Sequence, residues 1–197
     1  MSADQWQSGL SLAAYVDTMS DTYSAFMRER LSSVAVSDAD RAELARAERP
    51  VRVAVLTEDD CGDSVLSLPI LVSFVESAPG VEMRIFMRSQ SPELNQHYID
   101  RGITSIPAVS FMDADLDEFG VWVERSQAAN AQLGRLREAH AAKHASLPDE
   151  EIKAAWKRAA VDRQQEMAQW YADGGQQATV DEFKAILASA AVDQAGG

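Results

Sequence analysis

At 197 residues, with 46% hydrophobic and 25% charged side chains, the chain can enclose one sizeable core and has the composition of a globular protein. Its 31 Asp and Glu against 18 Lys and Arg leave a net charge of −13, which repels nucleic acid and anionic membranes and favours a basic protein partner or plain solubility. No apolar run reaches the roughly 18 residues of a spanning helix, residues 1–10 lack the basic start and apolar centre of a signal peptide, and one cysteine forms no internal disulfide, so a cytoplasmic protein without membrane attachment is expected.

Ser11 can cap a helix in which Leu12, Tyr15, Val16, Met19, Tyr23 and Phe26 recur at three- and four-residue spacing. Such an aromatic stripe reads as core rather than as a partner surface. Ser37-Asp38-Ala39-Asp40 is a second helix start, with early acids suited to the helix dipole, and that helix should stop before Pro50. Neither helix carries visible chemistry.

The central unit begins at Pro50. Residues 51–56 read as a strand, 65–75 as an apolar helix ending near Pro79-Gly80, and 81–87 as a second strand. Strand, helix, strand implies parallel pairing with a right-handed crossover. Residues 92–98 suit a short helix, 108–112 a third strand, and 119–123 an antiparallel fourth after the turn at Asp113-Ala114-Asp115. The expected fold is α/β, a mixed four-stranded sheet made of a parallel βαβ unit followed by an antiparallel hairpin, with helices on its faces.

Beyond Trp122 the chain is helical again. Residues 128–145 form one helix, and Pro148 starts another with Ile152, Trp156, Ala159, Met167, Trp170 and Tyr171 on its buried side, ended by Gly174-Gly175. Thr179 and Glu182 have capping-box spacing ahead of Phe183, Ile186 and Leu187. Residues 192–197 should fray. These helices either cover part of the sheet or make a homodimer surface, and the sequence leaves both open. The expected organisation is one domain: a helical extension over 1–49, the core over 50–125 and C-terminal helices over 126–197.

The chemistry concentrates between the first strand and its helix, in Thr57-Glu58-Asp59-Asp60-Cys61-Gly62-Asp63-Ser64. A cysteine at a strand-to-helix junction lies near unpaired N–H groups and the positive end of the helix, which favour thiolate over thiol. Neighbouring carboxylates push the other way, and the net direction is not readable from sequence. Glu58, Asp59, Asp60 and Asp63 read either as acid–base machinery or as ordinary dipole complements. His140 and His144, four apart on a helix, are too few ligands for zinc and read as a solvated face, so no metal or cofactor is expected. Pro69 falls inside the apolar helix, and Ser105-Ile106-Pro107 immediately precedes the third strand.

Cys61-Gly62 opening a helix, Pro69 eight positions later, and Ile106-Pro107 ahead of the third strand resemble the thioredoxin superfamily. The wider context, Leu56-Thr57-Glu58-Asp59 before the cysteine and Leu68-Pro69-Ile70-Leu71 beyond it, is similar to a bacterial thioredoxin-like branch. The resemblance covers residues 50–125 and implies a cis Ile106–Pro107 bond with its ring against the Cys61 sulfur. Two departures stand out: Ser64 replaces the second cysteine and Asp60 replaces the usual Trp. The implied activity is therefore monothiol exchange. Cys61 attacks a protein or low-molecular-weight disulfide, Ser64 hydrogen-bonds the sulfur without resolving the adduct, and Pro107 shapes the groove. Asp60, Gly62, Asp63 and Ile106 contact the substrate, and an external thiol regenerates Cys61. The alternative from another class is a non-catalytic thioredoxin-like interaction module using the same groove. Glutaredoxin-like Fe–S handling is a weaker third, because Cys61-Gly62-Asp63-Ser64 is one residue from Cys-Gly-Phe-Ser while the Gly-Gly pair after the fourth strand is missing.

Overall fold

The computed structural model describes residues 1–45, 50–76 and 78–195. In chain order the elements are α1 (Ala3–Gln7), α2 (Leu12–Val16), α3 (Asp21–Ser33), α4 (Asp38–Ala45), β1 (Val51–Thr57), α5 (Gly62–Val75), β2 (Val81–Met87), α6 (Pro92–Asp100), β3 (Ala108–Met112), β4 (Glu118–Val123), α7 (Gln127–Lys143), α8 (Asp149–Arg158), α9 (Ala160–Trp170), a π-turn (Tyr171–Gly175) and α10 (Gln176–Ala195). The sheet order is β2-β1-β3-β4, with β1 parallel to β2 and antiparallel to β3, and β3 antiparallel to β4. This is the mixed four-stranded α/β architecture expected from the sequence.

Helices cover both faces of β1, which is why its residues 53–57 are all buried. Val51, Val53 and Val55 enter the larger core with Val109, Phe111 and buried residues of α2, α3, α4, α5, α9 and α10. Ala54 and Leu56, one step along the pleat, point to the opposite face and pack with Phe86, Ala108, Met112, Trp6 and Tyr98. α5 is buried from Ser64 to Val75, as a helix apolar all round must be. Phe183 of α10 seats against Phe74, Phe111 and Trp122 at centroid distances of 5.9, 5.9 and 5.2 Å. Gly120 in β4 makes room for this helix, since a Cβ there would lie 2.2 Å from Ile186 Cγ2.

The register sets the site. Leu56 pairs with Ala108 and Thr57 with Met87, so the loops after β1, after β2 and before β3 emerge at one end of the sheet.

The flanks depart from the sequence reading in four places. The helix expected over residues 12–26 is two, because Ser20 takes the N-cap of α3 and accepts the Tyr23 N–H. α1 was not foreseen; Ser2 and Gln5 form its capping box, and Leu10 beyond it bridges Ile85 at the sheet edge. The helix after Pro148 breaks at Ala159 (φ −81°, ψ 20°). Gly174-Gly175 does not end the second piece: Gly174 adopts φ 110° and the chain turns directly into α10. Thr179 consequently lies within a helix and forms no cap, and Glu182 instead accepts the Gln127 N–H at the start of α7 (2.8 Å) and the Trp122 indole N–H (2.7 Å). The stop expected before Pro50 lies outside the described residues. α10 runs to Ala195, through part of the tail expected to fray, and residues 196–197 lie outside the description.

Candidate functional site

Cys61 is the N-cap residue of α5 (φ −76°, ψ 106°) and is half-buried. Its thiol donates to the Ile106 carbonyl at 3.6 Å, and the Ile106–Pro107 peptide is cis. The β1–α5 loop and the β3 entrance therefore meet at the sulfur. Pro107 is buried, Ile106 is half-buried and packs on the smaller core, and Asp60 is exposed in the turn.

The turn before Cys61 is pinned through the Glu58 carbonyl, which accepts the Cys61 N–H (3.2 Å) and the Tyr15 hydroxyl (2.9 Å). Tyr15 comes from α2 and is fully buried. Its phenol is pushed well above the usual range, mainly by burial; the Thr57 hydroxyl opposes this, while Cys61 and Asp59 add to it. The Glu58 carboxylate is engaged elsewhere, accepting the Ser89 N–H (3.1 Å) and hydroxyl (2.7 Å) and thereby tying the loop after β1 to the loop after β2.

Ser64 is fully buried and shares a short hydrogen bond with the Thr57 hydroxyl. Asp63 is partly buried and ion-paired with Arg125 Nε at 3.3 Å, and Arg125 also pairs with Glu124. Burial raises the Asp63 pKa, Arg125 opposes it, Glu124 adds to it, and Arg163 of α9 opposes it. Gln164, also on α9, lies directly on Gly62: a Cβ at that glycine would be 2.0 Å from Gln164 Nε2. The opening that Gly62 leaves at the helix start is thus occupied by this chain's own glutamine.

The balance left open by sequence resolves toward the protonated thiol. Burial raises the Cys61 pKa; the Ser64 side chain and the N–H groups of Ser64 and Asp63 favour thiolate, and the Asp63 charge disfavours it. None of those N–H groups closes a capping hydrogen bond onto the side chain, so the helix end does not outweigh burial.

Sequence reasoning singled out Asp60, Cys61, Gly62, Asp63, Ser64, Ile106 and Pro107; the structure brings the Cys61 turn and the Ile106–Pro107 segment together at the sulfur, while Asp60 stands exposed in the turn. Sequence reasoning missed Tyr15, Arg125, Arg163 and Gln164. Tyr15 carried a readable signal, helical periodicity, but that signal says only that it is buried. His140 on α7 and His144 at its C-cap lie side by side with ring centroids 4.5 Å apart, and the His140 ring meets Trp156 edge-on; among the described residues no group of three or more His, Cys, Asp or Glu could hold a metal.

An α/β sheet with a thiol at the N-cap of the helix that follows its first strand, facing a proline-led strand, defines a thioredoxin-like class of protein. A family model described as thioredoxin matches residues 9–142, more than half of the chain, and the chain belongs to that family. No curated protein matches. Among solved structures, a protein of unknown function from Pseudomonas aeruginosa is similar at 21% identity with a TM-score of 0.67, over 96% of this chain and 99% of that one. An HIV epitope scaffold is similar at 23% identity with a TM-score of 0.62, over 94% and 96%. Both similarities concern the fold, and their coverage includes the helices at both ends. No helix among the described residues is long and apolar enough to cross a membrane.

Proposed function

We propose that this protein is a thioredoxin-like monothiol that performs thiol–disulfide exchange through Cys61. The observation that carries the reading is the placement of the lone thiol: an N-cap residue on α5, half-buried, donating to the Ile106 carbonyl beside Pro107. Cys61 loses its proton and attacks one sulfur of a disulfide R–S–S–R′. That S–S bond breaks, R′–S⁻ leaves and takes up a proton, and Cys61–S–S–R forms. An external thiol R″–SH then attacks the sulfur of R, giving R–S–S–R″ and returning the Cys61 thiol. One disulfide is consumed and one formed, so the cycle needs no further oxidant or reductant.

Ser64 cannot resolve the adduct, but its hydroxyl favours the thiolate. Pro107 shapes the groove; Asp60, Gly62, Asp63 and Ile106 border it. The partner is a protein or low-molecular-weight thiol or disulfide, in a cytoplasm that supplies the resolving thiol. The larger core draws on residues from Tyr15 to Phe183, which supports reading 1–49, 50–125 and 126–197 as parts of one domain.

The test is reduction of a protein mixed disulfide by added low-molecular-weight thiol. Wild type turns over, Cys61→Ser does not, and Ser64→Cys gains an internal dithiol cycle, since residues three apart at a helix start can bring their sulfurs together. No turnover in either wild type or Ser64→Cys with several thiols would overturn the reading.

A second reading, a non-catalytic interaction module, is favoured by the raised thiol pKa and by Gln164 lying on Gly62. It predicts partner binding that survives Cys61→Ser and weakens when Ile106 is changed.

A further inference from the structure

Between α3 and α9 lies an open cavity of about 650 Å³, within the size range of small-molecule sites. Its walls include Tyr23, Phe26, Val161 and Ala168, with Gln164 at one side and Arg30 among its lining residues. Arg30 is only 5% exposed. One guanidinium nitrogen, Nη2, donates to the Leu66 carbonyl at 3.2 Å, and the group lies 5.8 Å from the centre of the Tyr171 ring. Nε is buried and has no hydrogen-bond partner. None of the ion pairs among the described residues includes Arg30; Glu29, the neighbouring carboxylate, is exposed on the cavity lining and does not pair with it.

A buried cation without an anionic partner is costly, by several kcal/mol after relaxation. A carbonyl dipole, an aromatic face and the charge of the adjacent, exposed Glu29 offset part of that cost, and none of them closes an ion pair. The missing partner is an anion. A carboxylate accepts a charge-assisted N–H···O bond from a guanidinium, and the aromatic and aliphatic walls suit an apolar tail. Glu29 at the cavity and the chain's net charge of −13 disfavour ligands with several negative charges. We propose that the α3–α9 cleft binds a small amphipathic monocarboxylate, with its head group paired to Arg30 and its tail along Tyr23, Phe26 and Ala168. This site is independent of the thiol chemistry and requires no contact with Cys61.

The experiment titrates the full-length protein with decanoate, followed by amide and side-chain NMR shifts at Tyr23, Phe26 and Ala168, with decanol as the uncharged control. Saturable binding of decanoate is expected, with decanol and Arg30→Met each weaker by about tenfold or more, the worth of one charge-assisted pair. Cys61→Ser should bind as wild type. Ala168→Phe, which fills the cleft and leaves the charge, should abolish binding and keeps the test decisive if Arg30→Met fails to fold. The proposal is overturned by absent saturation, by decanol binding as tightly as decanoate, by an Arg30→Met protein that binds as wild type, or by binding that survives Ala168→Phe.

Discussion

The central unit, β1 through β4, and the helices that flank it build the same site by different means. The central unit contributes groups whose positions follow from neighbours in sequence: Cys61 at the end of a strand-to-helix turn, Ser64 one turn into α5, Pro107 at the head of β3. The flanks contribute groups that reach the site only through packing: Tyr15 under the turn, Gln164 on Gly62, and Arg163 acting on Asp63. The thiol between them is half-buried and burial raises its pKa; how far helices that carry no visible chemistry set the reactivity of the visible chemistry can be measured.

The largest expected effect tests whether the two regions are energetically one. Phe183 on α10 is fully buried against Phe74 of α5, Phe111 of β3 and Trp122 of β4. Phe183→Ala should destabilise the protein by about 3–5 kcal/mol, the cost of an aromatic-sized cavity. Urea unfolding should show this as a lower midpoint with an unchanged slope. If tryptophan fluorescence lost its transition early while Cys61 alkylation kept the wild-type midpoint, the flank would be unfolding separately and the comparison would fail.

What the sequence made legible divides along the same line. The strands, the crossover and the hairpin were readable because a period of two residues and bounding Gly and Pro are local signals, and the family resemblance rested on Cys61, Pro69 and Ile106-Pro107. The flanks misled where a local signal had a competitor. Thr179 and Glu182 have capping-box spacing, yet Gly174 takes a positive φ and lets the chain re-enter a helix at once, so Glu182 is released to cap α7 at Gln127 and to bind Trp122. Ser20 looked like one more polar residue in an amphipathic run, yet it ends the run by capping α3. The fate of the Cys61 proton was unreadable for a different reason: dipole, carboxylates and burial oppose one another, and burial is a property of the packed fold that neighbours in sequence do not announce.

A smaller effect comes from the Tyr15 hydroxyl. Tyr15→Phe keeps the ring that fills the core and removes the donor to the Glu58 carbonyl, which retains its bond from Cys61 N–H. A loss of about 1 kcal/mol in stability is expected, the net worth of one hydrogen bond. The more telling readout is the thiol: with the turn less firmly held, Cys61 should alkylate faster at a fixed pH, although the substitution lies 46 residues away in sequence. An unchanged alkylation rate would mean that the bonds from the Cys61 N–H and the Thr57 hydroxyl fix the turn without Tyr15.

The smallest effect separates two carboxylates that sequence treats alike. Asp60 is exposed, whereas Asp63 is partly buried beside Arg125 and its charge raises the Cys61 pKa. Burial is the main cause of that raised value, so wild-type alkylation against pH should show a single midpoint above the usual thiol range. The thiol is an acid whose neutral form the fold prefers; its contribution to stability is complete below the unfolded pKa and is lost as pH rises through the folded one. Asp63 has the same sign, being raised mainly by burial: its contribution is present below the ordinary carboxylate pKa and lost as pH rises through the folded value, which leaves the ionised group at neutral pH as a cost that Arg125 offsets in part. Asp63→Asn should therefore lower the alkylation midpoint by removing a charge close to the sulfur. Asp60→Asn should lower it less, because water and salt screen an exposed charge, and its effect should shrink further in about 1 M salt, where the screening length is about 3 Å. If Asp60→Asn moved the midpoint as far as Asp63→Asn, the burial that α9 and Arg125 impose on Asp63 would not be what distinguishes the two, and the flanking helices would lose their part in setting the thiol's reactivity.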